Sequence, residues 1–117
     1  LIRSNDGRTL NDVAYALIGA HAYTRALPFA RKAVQKAQSG TLTEAYATFN
    51  LGLALLELGR CRESLPLLRH ALALEPPVLR PLVRPRIKQA ERCSKGAASV
   101  PAQSVSSAAS TGPSRAR

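Results

Sequence analysis

Two octapeptides that lie 38 residues apart in this sequence are closely similar. LPFARKAV spans residues 27–34 and LPLLRHAL spans residues 65–72, and they share Leu, Pro, Arg and Ala at equivalent positions. A period of this size is typical of chains that build one supersecondary unit more than once and stack the copies. The repeat therefore predicts two stacked units within a length that suits one small domain.

Hydrophobic spacing indicates that each unit is a pair of helices. Apolar residues at helical intervals predict helices over roughly residues 10–20 and 23–37, and the pattern restarts to give helices over roughly 42–58 and 61–74. With only five aromatic residues and no Trp or Met, the core must be mostly Leu, Ala and Val. The fold class is predicted to be all-α, with two antiparallel helix-turn-helix units stacked as a short right-handed solenoid plus a C-terminal capping helix.

Local signals divide the chain further. Thr9 with Asp12, and Thr41 with Glu44, have the spacing of capping boxes at helix starts. Residues 1–8 are interpreted as a leading loop, and residues 9–77 as the two hairpins, about 9–40 and 41–77. Proline is tolerated mainly in the first helical turn, so a mild kink is predicted at Pro28 or Pro66 if either lies deeper.

The C-terminal part differs in charge and composition. Residues 78–117 carry eight basic residues and one acid, whereas residues 7–77 carry eight basic and five acidic residues. Residues 78–95 are predicted to form a basic amphipathic capping helix, helical mainly over 85–95 because of the prolines before it. Residues 96–117 are rich in Ala, Ser and Pro and are predicted to be disordered. The basic segment is interpreted either as a solvated tail or as a contact for acidic proteins, nucleic acid or anionic surfaces.

The cysteines and the chain start bear on the cellular setting. Cys61 and Cys93 are the only cysteines, and two cysteines do not make a disulfide framework, so free thiols in a reducing compartment are expected. No secretory signal and no membrane span are recognised, which favours a cytoplasmic protein. Because the first residue is Leu1, the chain is expected to be part of a larger protein.

Catalytic signals are weak. His21 and His70 are the only histidines, and neither has a second ligand at metal-binding spacing. No phosphate-binding loop and no arrangement of nucleophile and base is recognised. The sequence therefore predicts a noncatalytic protein with no metal and no cofactor. Nucleic-acid binding is disfavoured because the basic segment contains no aromatic residue that could stack on bases.

The second unit resembles a known family. Residues 45–76 look like a tetratricopeptide repeat, on residues at that family's spacing: Leu51, Gly52, Leu55, Gly59, Ser64, Leu68, Ala71 and Pro76. Residues 7–38 look like a degenerate first copy, with Ala14, His21, Tyr23, Ala26 and Ala33 at corresponding places. The family's early large aromatic is missing: Thr48 takes its place, with Phe49 beside it. The pattern and the Arg- and Ala-rich composition resemble bacterial modules of this family that are found within larger signalling proteins.

The resemblance implies a concave groove, lined by the first helix of each hairpin, that binds a peptide or a partner's helix. The residues that this implies for partner binding are Asn11, Tyr15, Tyr46, Phe49, Asn50, Leu53, Arg80 and Arg84. Phe49 and Leu53 could instead simply pack between helices. Two alternative functions stay open: a basic adaptor contacting nucleic acid or an anionic surface through residues 78–117, and a self-association module that forms homo-oligomers.

Overall fold

The computed structural model describes residues 6–74 and 79–99. In these two ranges the chain forms five α-helices and no strand: α1 Gly7–Gly19, α2 Tyr23–Lys36, α3 Leu42–Glu57, α4 Cys61–Ala73 and α5 Arg80–Ser99. Helices α1 and α2 form one hairpin, α3 and α4 form the second, and α5 packs mainly against α4. The predicted all-α array of stacked hairpins with a C-terminal helix is confirmed.

Helix α1 begins earlier than the sequence predicted. Its N-cap is Asp6, whose Oδ1 accepts a hydrogen bond of 2.8 Å from the backbone N–H of Thr9. The predicted capping box of Thr9 and Asp12 is therefore wrong, because Thr9 already lies inside the helix. Gly7 allows this start: a Cβ there would lie 2.9 Å from the backbone nitrogen of Ala37, at the end of α2.

The predicted cap of α3 is confirmed with one change. Thr41 Oγ1 accepts from the backbone N–H of Glu44 at 3.2 Å, as in a capping box. The reciprocal bond runs to the preceding residue, since Gly40 donates its N–H to Glu44 Oε1 at 2.7 Å. Gly40 has a φ of 80°, a left-handed conformation that glycine adopts without steric cost.

The core consists of two main clusters that meet at α3. One cluster joins the two hairpins through the buried side chains of Ala14, Ile18, Ala26, Leu27, Ala30, Leu51, Ala54 and Leu55. The other joins α3, α4 and α5 through Ala45, Phe49, Leu56, Cys61, Leu68, Ala71, Leu79, Val83 and Ala90. Because α3 contributes to both clusters, it is the central helix of the stack.

Helices α3 and α4 approach each other closely at a small residue. A Cβ on Gly52 would lie 2.9 Å from Cδ2 of the fully buried Leu68. The hydroxyl of Ser64 donates a buried hydrogen bond of 2.8 Å to the carbonyl oxygen of Gly52. A serine at this place thus gains a polar contact that the closeness of the two backbones makes possible.

Cys61 and Cys93 form a disulfide, so the expectation of free thiols is wrong. Their Cα atoms lie 5.9 Å apart, and the bond links the first residue of α4 to the second half of α5 across a sequence separation of 32. The pairing depends on how α5 aligns against α4, which the cysteine count does not reveal. It also removes the argument for a reducing compartment, because disulfides persist in oxidising environments.

Helix α5 is longer than predicted. It begins at Arg80, so Pro81 lies in its first turn, where the missing N–H has no helical partner. Pro85 is the sixth residue of α5, the same place that Pro28 holds in α2 and Pro66 in α4. The helix continues to Ser99 and includes residues 96–99, which were predicted to be disordered. The rest of that predicted tail, 100–117, and residues 1–5 of the predicted leading loop lie outside the described residues.

Candidate functional site

A hollow of about 420 Å³ lies between α1 and α3, the first helices of the two hairpins. Its lining is formed by Arg8, Asn11, Asp12, Leu42, Thr43 and Tyr46. Two residues predicted from the sequence to bind a partner, Asn11 and Tyr46, therefore come together here although 35 positions separate them. The lining combines one cation, one anion, one amide and two large apolar side chains, a mixture suited to an extended peptide.

The amide of Asn50 lies beneath this surface. Its side chain is 4% exposed, and Nδ2 donates a hydrogen bond of 2.8 Å to Oδ1 of Asn11. Asn50 therefore fixes the orientation of Asn11 from below. Within residues 6–74 and 79–99, the structure gives Nδ2 of Asn11 no acceptor, so this nitrogen is available to a ligand.

The remaining apolar residues predicted for the groove lie in different surroundings. Phe49 is 9% exposed and belongs to the cluster that joins α3, α4 and α5, and the half-buried Leu53 packs against the same cluster. Both side chains thus pack between helices. Tyr15, by contrast, is 69% exposed on α1 and is free to contact a partner.

The two predicted arginines are not in the lining of the α1–α3 hollow. Arg80 is half-buried at the first position of α5. Arg84 lines a second hollow, of about 550 Å³, between α4 and α5. That hollow is completed by Leu72, Pro85, Ile87, Lys88 and Glu91. The structure therefore separates the predicted site into two surfaces.

Leu42 and Thr43 line the first hollow but were not predicted. Leu42 is 54% exposed, which is unusual for so large an apolar side chain. The sequence carries a signal for it: Leu42 stands four residues before Tyr46, and this spacing puts both on one helix face.

Two partly exposed ion pairs link neighbouring helices. Arg86 pairs with Glu57 at 3.3 Å and Arg69 pairs with Glu91 at 3.1 Å, which ties α5 to α3 and α4. A hydrogen bond from Arg60 lowers the pKa of the exposed Glu63. Burial raises the pKa of Tyr23, with the charge of Glu57 adding to the shift and that of Arg86 opposing it.

The part of the chain that the structure describes contains neither a metal-binding cluster nor a membrane-spanning helix. Among those residues, no group of three or more His, Cys, Asp or Glu side chains could hold a metal ion. None of the described helices is long and apolar enough to cross a membrane.

The fold and the hollow between first helices define the class as a helical repeat protein. The profile of the tetratricopeptide repeat matches residues 50–74, which cover the end of α3 and all of α4. Residues 50–74 are therefore similar to a tetratricopeptide repeat. No curated protein and no solved structure gives a significant match. Repeats of this family generally mediate contacts between proteins and are typically noncatalytic.

Proposed function

We propose that this chain is a noncatalytic module that binds a peptide segment of a partner protein in the hollow between α1 and α3. The observation that carries the proposal is the exposure of Leu42, which together with Tyr46 lines a hollow between the two hairpins. Apolar side chains combined with a few polar groups are usual in a ligand site.

The polar residues suggest how the peptide is held. Asn11 offers its Nδ2 to a peptide carbonyl, and Asn50 fixes the orientation of that amide from below. Arg8 and Asp12 flank the same hollow with opposite charges, so a peptide that carries both signs near an apolar side chain fits best. Tyr15 extends the surface along α1.

The proposal is tested with the tightest ligand that the chain selects from a random peptide library, measured by fluorescence anisotropy. Leu42→Ser and Asn11→Ala should each weaken binding at least fivefold, because they remove an apolar contact and a hydrogen-bond donor. Phe29→Ser is the matched control, since Phe29 is 38% exposed on α2 outside this hollow. Equal losses in Leu42→Ser and Phe29→Ser, with unchanged circular dichroism, would show that the peptide binds elsewhere.

The basic-adaptor function has one observation in its favour. Exposed cations follow one another along α5, at Arg84, Lys88, Arg92 and Lys95. If nucleic acid were the ligand, binding of a 20-base-pair duplex should fall steeply as salt rises, since it would depend on released counterions. It should also be unaffected by Leu42→Ser.

A further inference from the structure

Helix α5 presents a row of basic side chains that form no ion pair with any acid among the described residues. Arg84, Lys88, Arg92 and Lys95 are all exposed, and their spacing places them on one face of the helix. Within residues 6–74 and 79–99, none of these four forms an ion pair, whereas Arg69 and Arg86 each pair with a glutamate. The row is therefore an unsatisfied positive surface that spans about three helical turns.

An apolar hollow lies directly beside this row. Leu72 of α4 and Ile87 of α5 form the apolar part of its lining together with Pro85, and Arg84 and Lys88 form the cationic part. Leu72 and Ile87 are only partly buried, although both pack against the core cluster of α3, α4 and α5. The one acid in the lining, Glu91, is already engaged by Arg69 at 3.1 Å.

We propose that the hollow between α4 and α5 binds an acidic amphipathic helix from another protein. The apolar stripe of that helix would cover Leu72 and Ile87, and its carboxylates would face Arg84, Lys88 and Arg92. Because these cations recur every four residues, a partner helix with Glu at the same spacing can pair with each of them. This surface is separate from the α1–α3 hollow and takes a different partner.

Charge complementarity selects this occupant over two others. A second copy of the chain, with a net charge of +10, would bring like charge to a basic surface. A nucleic acid would satisfy the cations but leave Leu72 and Ile87 uncovered. Residues 79–117 also contain no aromatic side chain that could stack on a base. An acidic amphipathic helix would contact both the apolar and the cationic residues of the lining.

The test uses the full chain and a synthetic helical peptide of 18 residues, made of Leu, Ala and Glu with Leu along one face. A second peptide carries Gln at every Glu position, and a third carries Ala at every Leu position. Fluorescence anisotropy should show the Glu–Leu peptide binding at least tenfold more tightly than either relative. Binding of the Glu–Leu peptide should also weaken as salt rises from 50 to 300 mM, because exposed charges are screened.

Protein variants locate the binding surface. Arg84→Glu with Lys88→Glu should weaken the Glu–Leu peptide at least tenfold. Lys32→Glu with Lys36→Glu is the matched control, because these exposed lysines have the same spacing on α2 and the change in net charge is equal. The control and Leu42→Ser should each change the affinity less than twofold. Circular dichroism verifies that every variant is folded, and the peptide comparisons still decide the matter if the α5 variant is not.

Three results would overturn the proposal. The first is equal affinity for the Glu and Gln peptides, or an equal loss of affinity for the Glu–Leu peptide in the α5 and α2 double variants. The second is displacement of the peptide by a 20-base-pair DNA duplex or by vesicles one-third phosphatidylserine, while the Leu and Ala peptides bind equally. This would indicate a surface for anions in general. The third is a concentration-dependent dimer in sedimentation that the peptide dissociates, which would assign the hollow to self-association.

Discussion

The two hairpins of this protein share a plan but carry very different amounts of packing. Helix α3 buries ten of its residues, from Ala45 to Leu56, whereas α1 buries four. The reason is position: the second hairpin lies between the first hairpin and α5, while α1 has a neighbouring hairpin on one side only among the described residues. The tetratricopeptide match falls within the second hairpin, where helices pack on both sides.

Equivalent positions show where the first hairpin departs from the second. The close contact of Gly52 and Ser64 corresponds to Ala14 and Ala26, which have no polar contact between them. The turn that Gly59 makes with a φ of 80° is made in the first hairpin by His21, with a φ of 61°. The first hairpin thus follows the same backbone path without the glycine and serine residues that lower the free-energy cost of that path in the second hairpin.

Removing the disulfide should have the largest effect, and it should act mainly on α4 and α5. In the loop-entropy description, closing a loop of this length stabilises a protein by about 3–4 kcal/mol. Cys61→Ser with Cys93→Ser should lower the free energy of unfolding by that order in guanidinium titrations. Hydrogen exchange should speed up in α4 and α5 more than in α1 and α2.

Reductant provides the control for this variant. It should lower the stability of the natural chain to that of the double-serine variant and leave the variant unchanged. If reduction alters neither stability nor exchange, the bond between Cys61 and Cys93 does not hold α5 in place.

The contact at Gly52 should give the next largest effect. Gly52→Leu should lower the free energy of unfolding by about 3 kcal/mol, because the interface with Leu68 is already full. Gly52→Ala, which copies Ala14 of the first hairpin, should also destabilise. Helix propensity alone favours Ala by about 1 kcal/mol, but the new Cβ displaces a buried leucine.

Gly19→Ala is the matched control, since a Cβ at Gly19 meets nothing within 4 Å. This change should stabilise by up to about 1 kcal/mol in thermal unfolding. A gain of equal size from Gly52→Ala would mean that the two hairpins are packed alike at this position, against the comparison drawn above.

The turns should give the smallest effect, of opposite sign in the two hairpins. Gly59→Ala should destabilise by about 1 kcal/mol, since an L side chain is strained at a φ of 80°. His21→Gly should stabilise by less than about 1 kcal/mol, because relief at φ 61° is offset by unfolded-state entropy and the lost stacking on Tyr23. Destabilisation by His21→Gly in thermal melts would show that the histidine is kept for its ring.

The sequence was a good guide wherever contacts are local. The helix pairs and the cap at Thr41 both follow from spacing within one hairpin. The starts of α1 and α5 were misjudged because a cap can be supplied by either of two nearby polar residues, Asp6 or Thr9. Proline in a first turn likewise does not delay a helix.

Tertiary register was the part that the sequence did not reveal. The pairing of Cys61 with Cys93 depends on how α5 lies along α4, and so does the placing of Arg84 away from the α1–α3 hollow. The burial of Asn50 against Asn11 depends in the same way on how α1 sits across α3. Periodicity assigns a residue to a helix face but not to its neighbour across the interface.

The disulfide also determines how this protein would respond to a mechanical load. A pull on the chain beyond Cys93 passes through the covalent bond to Cys61, at the start of α4. The force therefore bypasses residues 62–92, and α5 can be peeled away from its C-terminal end only as far as Cys93. Further extension has to begin in α1 to α3, which hydrogen bonds and packing alone hold together.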